Sequence, residues 1–135
     1  MFTRPSYQSG VGVAGTMRVV PDVAAVGNPG TGFGIYVGSQ GGWMLAGGTS
    51  PATPLWAGQL SGVISTRQSI TGLGDIHAPS HLHPAAFRDV SSGSNGLYSA
   101  GTGFDAVTGL RSPSWAALAQ VLAPPGAWFP CPVRA

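Results

Sequence analysis

Ser50 stands in the stretch GGTSPATPLWAG, residues 47–58, behind two glycines and a threonine and ahead of an apolar segment. A serine hydroxyl at a helix start suits acyl transfer. The backbone N–H groups of a first helical turn point outward unpaired, and the dipole there is positive. The Ser50 backbone N–H could therefore hold an oxyanion. Pro51 would fall where a missing N–H costs nothing, and Gly47 and Gly48 would let a substrate backbone approach. The plainer alternative is that Ser50 or Thr49 only caps the helix. A nucleophilic serine also needs a base, and this chain is poor in them. It has no Glu and no Lys, and its acids are Asp22, Asp75, Asp89 and Asp105. The elbow G-x-S-x-G fails at Ala52, and Ser-x-x-Lys is impossible without Lys. His77, His81 and His83 all follow Ser50, whereas the subtilisin order needs the histidine first.

Asp89 and Asp105 bracket a glycine-rich, turn-dense segment. Calcium takes six to eight oxygens from carboxylates, carbonyls and water, and such a segment could supply them. The alternative is two turn aspartates bonding nearby N–H groups. The spacing is not that of an EF-hand. His77, His81 and His83 form H-x-x-x-H-x-H, which could hold zinc but reads better as a surface loop. Asp22, in VPDV, reads as structural, bonding backbone in a turn between short strands.

The elements that must position these residues fit one small domain over 1–125, with 126–135 as a tail. Of 135 residues, 43% are hydrophobic and only 7% charged, with net charge +2. That excludes a disordered chain and a nucleic-acid footprint. No apolar run reaches the length of a membrane span, and the N-terminus lacks a signal-peptide pattern. The single Cys131 allows no internal disulfide. FGIYV (33–37) and WMLAG (43–47) read as strands joined by a GSQGG hairpin turn. Residues 50–68 read as a helix, with Ala57, Gly58, Ser61 and Gly62 giving it a small face for close packing. Residues 69–88 read as loop with at most one short helix. Residues 112–123 read as a second helix with Ser112 as cap and Pro113 in its first turn. Trp43, Trp56 and Trp115 read as core or cleft wall.

Three stretches in order resemble the sedolisin family, the serine-carboxyl peptidases. They are RVVPDVAAVGNPGTGFGIYV (18–37), the serine motif GGTSPATPLWAG, and FRDVSSGSNGLYSAGTGFDAVTGLRSP (87–113). The resemblance implies an α/β, subtilisin-like fold: a parallel sheet with flanking helices, of which this chain carries the C-terminal part. It implies that Ser50 is the nucleophile of peptide-bond hydrolysis, activated by a Glu paired with an Asp. A further Asp would share the oxyanion with the Ser50 N–H. Those acids lie upstream of the matched part in the family. The resemblance also implies a Ca2+ ion held by the side chains of Asp89 and Asp105 and the carbonyls of Val90, Gly101 and Gly103, with water. Peptide or protein substrates and an extracellular location follow in the same way. Phe104 stands where the family often has Trp, and Arg111 where it often has Gly, a change expected to touch no ligand. Without a base, the isolated chain is expected to be inactive and, with half a sheet, to aggregate or stay partly molten. Its low acid count suggests little to lose at acidic pH. The rival readings are a catalytically dead fragment, a peptide-binding pseudoenzyme, and a subtilase relative that needs an upstream His.

Overall fold

The computed structural model describes residues 2–65, 73 and 75–122. The tail at 126–135, with Cys131, and the expected helix ends at 68 and 123 lie outside the described residues. Strands β1 (Phe33–Val37) and β2 (Gly42–Ala46) form an antiparallel hairpin, pairing Phe33 with Ala46 through to Val37 with Gly42. Branched and aromatic residues favour this pleated surface. A short 3-10 turn, Gly38–Gln40, ends on Gly41 in the left-handed region at φ 87, a conformation glycine adopts without strain.

Helix α1 (Thr49–Ser65) follows, then α2 (His77–Leu82), β3 (Phe87–Arg88), β4 (Ser112–Pro113) and α3 (Trp115–Leu122). β3 and β4 pair antiparallel, Phe87 with Pro113 and Arg88 with Ser112. This corrects the expected cap of the last helix. Ser112 and Pro113 belong to a ladder, and the Ser114 N–H continues it to the Ala86 carbonyl at 2.8 Å. The Ser114 carbonyl then takes the Leu118 N–H at 2.8 Å, which starts α3. Proline lacks the ladder N–H, so it suits a two-residue strand end. Both sheets among the described residues are antiparallel. The expected parallel sheet is not among them, and what is seen is the coarser pattern of helices with small sheets.

The core gathers where α1, α3 and residues 86–87, at the start of β3, meet. Val63, Ala86, Phe87, Leu110, Leu118, Ala119 and Leu122 are buried there. Trp56, Leu60 and Val63 form the inward stripe of α1 at helical spacing. Trp56 meets Trp115 edge-on, with ring centroids 4.6 Å apart. The opposite face of α1 departs from expectation. Ala57, Gly58, Ser61 and Gly62 are exposed, and a Cβ added at Gly58 or Gly62 would touch nothing. Trp43 is likewise not core: it is 78% exposed, edge-on to Tyr36 across the hairpin. Among the described residues, no helix is long and apolar enough to cross a membrane.

Candidate active site

The start of α1 places Ser50. The Ala52 N–H donates to the Gly48 carbonyl at 3.2 Å, and the helix begins at Thr49. Gly48, at φ 113, is thus the flanking residue, and neither Thr49 nor Ser50 is the cap. Ser50 is the second helical residue, is exposed, and its hydroxyl makes no hydrogen bond among the described residues. Its N–H comes before the first i→i−4 bond of the helix. Pro54 lies inside α1 and has no N–H to give the carbonyl four residues earlier, which is that of Ser50. The sequence therefore leaves both backbone groups of Ser50 outside the helical ladder.

Two glycines fix the strap ahead of this turn. A Cβ on Gly47 would lie 2.4 Å from the Pro29 nitrogen, and one on Gly32 would lie 2.0 Å from the Ala46 oxygen. Gly47 is therefore occupied by the chain's own 28–29 backbone rather than left open for a substrate, as the sequence suggested. Beside the strap, a cleft of about 470 Å³ runs between residues 21–27 and α1, walled by Val23, Ala25, Thr49, Ala52 and Trp56. Thr49, Ala52 and Trp56 share one helical stripe. Ser50 lies about 100° around the helix from Thr49, so it sits at the rim of the cleft rather than on its wall.

The 21–27 segment is held by the loop at 105–111. The Leu110 N–H donates to the Asp22 carbonyl at 2.7 Å, and the Ala24 N–H to the Arg111 carbonyl at 3.1 Å. The Asp22 side chain does not bond backbone as expected. It pairs with the Arg18 guanidinium and accepts from Gln8 Nε2 at 3.3 Å. Gln8 is fully buried and exchanges two hydrogen bonds with the Val19 backbone. His77 Nδ1 lies 2.6 Å from Asp75 Oδ1, and Nε2 lies 3.6 Å from Asp22 Oδ2. Tyr7 stacks on His77 and tilts against His81. Burial pushes the His81 pKa down, against a smaller upward pull from Asp22. His83 follows α2. No group of three potential metal ligands of the His, Cys, Asp and Glu types occurs among the described residues. His77 and His81 pack against Tyr7, and His77 also contacts Asp75, contacts that sequence spacing alone did not reveal.

Of the five residues expected to hold calcium, Asp89, Gly103 and Asp105 already have partners on their expected ligand oxygens. Asp105 is buried, and its carboxylate accepts from the Gly101, Val107 and Thr108 N–H groups and the Thr108 hydroxyl. Burial pushes its pKa up, but those donors outweigh it and hold the carboxyl below its ordinary value. Asp89 Oδ2 accepts the Gly103 N–H at 3.3 Å. Its Oδ1 lies 2.8 Å from Arg111 Nε, which also approaches the Gly103 carbonyl at 3.4 Å. Arg111 thus does touch two expected ligands. Val90 is half-buried beside Asp89. With a guanidinium already on Asp89 and on the Gly103 carbonyl, this donor set does not fit a calcium ion as arranged.

No family profile matches the chain. It is 35% identical to tripeptidyl-peptidase sed1 of Aspergillus fumigatus over 75% of its length, and 33% identical to kumamolisin of Bacillus sp. (strain MN-32) over 92%. Sedolisin of Pseudomonas sp. (strain 101) is 34% identical over 82%. Over most of its length, the chain belongs to the sedolisin family. The matched part amounts to 16%, 24% and 19% of those three sedolisin-family relatives.

Proposed function

We propose that this chain is the serine-bearing part of a sedolisin-type endopeptidase, a hydrolase of peptide bonds, with Ser50 as nucleophile and its backbone N–H as one oxyanion donor. The observation that supports this most is the exposed Ser50 in the first turn of α1, with its N–H unpaired and the cleft at its side. A hydroxyl there meets the positive end of the helix dipole, and the outward N–H suits a developing negative charge. The base cannot be a Glu of these 135 residues, since they contain none. In this reading the activating Glu–Asp pair and the second oxyanion Asp come from polypeptide outside this sequence. The subtilisin-like parallel sheet would be completed there too. The open small-residue face of α1 and the exposed Tyr36, Trp43 and Leu45 are the surfaces such a completion would cover. An extended peptide or protein substrate would lie along the 21–27 segment, its side chain in the apolar cleft.

The test is hydrolysis of a peptide substrate at acidic pH by the chain alone. No turnover is expected from the wild type or from Ser50→Ala, and the two should melt within about 0.5 kcal/mol of each other because Ser50 is an exposed side chain without a partner. Turnover by the wild-type chain that Ser50→Ala abolishes would show that a base is already present among these residues, which would overturn the external Glu–Asp pair and leave Ser50 as the nucleophile.

A further inference from the structure

Arg111 is the one non-glycine residue at positive φ among the described residues, at φ 92. A side chain in this region is strained and persists only where surrounding contacts hold it. Here they do. The Arg111 N–H donates to the Thr108 carbonyl at 3.0 Å, and its carbonyl accepts from Ala24 at 3.1 Å. The side chain, mostly buried, then reaches back across the loop. Its Nε lies 2.8 Å from Asp89 Oδ1 and 3.4 Å from the Gly103 carbonyl. One fixed positive charge therefore ties together a carboxylate and a carbonyl fourteen residues apart in the chain, the separation at which Gly103 also meets Asp89. Those two oxygens are among the five the family resemblance assigns to calcium. A divalent ion there would have to displace the guanidinium from Asp89 and sit against a like charge. The Asp105 carboxylate already accepts N–H and O–H donors on both its oxygens.

We propose that the Arg111 guanidinium is the resident cation of the 89–111 loop, taking the place of the calcium ion, so that the loop closes without metal. The charge arrives on the chain itself and needs no ion from solution. The local price is the strained backbone at residue 111, which a glycine would relieve. The inference rests on the family reading only for which ion is displaced. The arginine–carboxylate tie stands on its geometry alone.

The experiment is calcium titration of the full chain, by calorimetry and by thermal melting with calcium or with EDTA, for wild type, Arg111→Gly and Asp89→Asn. For wild type we expect no binding heat at about 1 mM calcium, the weak end of known sites, and the same melting temperature in calcium and EDTA. For Arg111→Gly we expect a lower melting temperature in EDTA that calcium restores by about 5 °C or more, as a ligand that binds only the folded state must. For Asp89→Asn we expect destabilisation that calcium does not correct. Micromolar calcium binding by wild type, with a raised melting temperature, would overturn the proposal whether or not the variants fold. So would an Arg111→Gly chain that folds and ignores calcium. Neither result would bear on whether Ser50 is a nucleophile.

Discussion

Gly47→Ala is expected to cost about 3 kcal/mol or more and to remove a cooperative melt. A Cβ there would lie 2.4 Å from the Pro29 nitrogen, 2.6 Å from the Asn28 carbonyl carbon and 2.6 Å from the Pro29 Cα. These are backbone atoms, so no rotamer change relieves the overlap. Either the 28–32 strap leaves the hairpin or the first turn of α1 shifts. Ordinary overpacking costs about 1–3 kcal/mol through small shifts, and this overlap asks for a larger one. Since Gly47 lies three residues before Ser50, the same change moves the serine. Gly58→Ala is the matched control. It sits inside α1 with nothing within 4 Å of the added carbon, so it should stabilise the chain by about 0.5–1 kcal/mol through helix propensity. Thermal or urea unfolding of both variants decides it. Equal effects from the two would mean that the strap does not press on Gly47.

Asp105→Ala is expected to cost about 3 kcal/mol or more, and Asp105→Asn about half as much. Alanine leaves the N–H groups of Gly101, Val107 and Thr108 without their acceptor, and each buried unpaired group costs about 1–3 kcal/mol. Asparagine keeps one acceptor oxygen for the Val107 and Thr108 donors but turns an amide toward Gly101. The pH dependence has a definite sign. The folded-state pKa of Asp105 is lowered from 3.8 by these donors, despite burial. Its stabilisation is therefore complete above the unfolded value and is lost as pH falls through the lower folded one. His81 acts earlier. Its folded pKa lies below the ordinary 6.5 because burial disfavours the charge, and its buried Nε2 has no hydrogen-bond partner among the described residues. The unfolded chain binds that proton first, so stability declines as pH drops below about 6.5 and until the folded His81 also protonates. A melting profile against pH should show a shallow decline below pH 6.5 and a steeper one below about 4. Asp105→Asn should weaken the second, which Asp75, held low by the His77 N–H, also shares, and His81→Phe should remove the first. A wild-type profile that is flat from neutral pH to 3 would contradict both assignments.

Much of the local structure was legible because it rests on short-range chemistry. Ile35, Tyr36 and Val37 against Trp43 and Leu45, around GSQGG, specify a hairpin within one stretch. The Trp56, Leu60 and Val63 spacing specifies the inward stripe of α1. What escaped depends on contacts between distant residues. Ser112 and Pro113 look like a helix start until Phe87 arrives to pair with Pro113. Gly47 looks like an opening until the 28–29 backbone fills it. Trp43 looks like core by type, but whether anything covers the outer hairpin face depends on atoms outside this chain's own fold. The proposed Ser50 site is legible in the sequence as a position and not as a complete machine. Its order relative to three histidines and the absence of Glu already argued that no base stands beside it. The Arg111 contact with Asp89 was missed because a Gly-to-Arg change in a turn reads as one that touches no ligand. Only the fold carries that side chain back to Asp89.

The most direct test of the central claim is a graft. This chain would replace its matched segment in kumamolisin of Bacillus sp. (strain MN-32), and peptide hydrolysis at acidic pH would be measured beside the Ser50→Ala graft. The expected result is a chimera that melts cooperatively and cleaves peptide, with cleavage lost on Ser50→Ala while the melt is unchanged. A chimera that melts cooperatively and does not cleave, or one whose cleavage survives Ser50→Ala, would contradict Ser50 as the nucleophile.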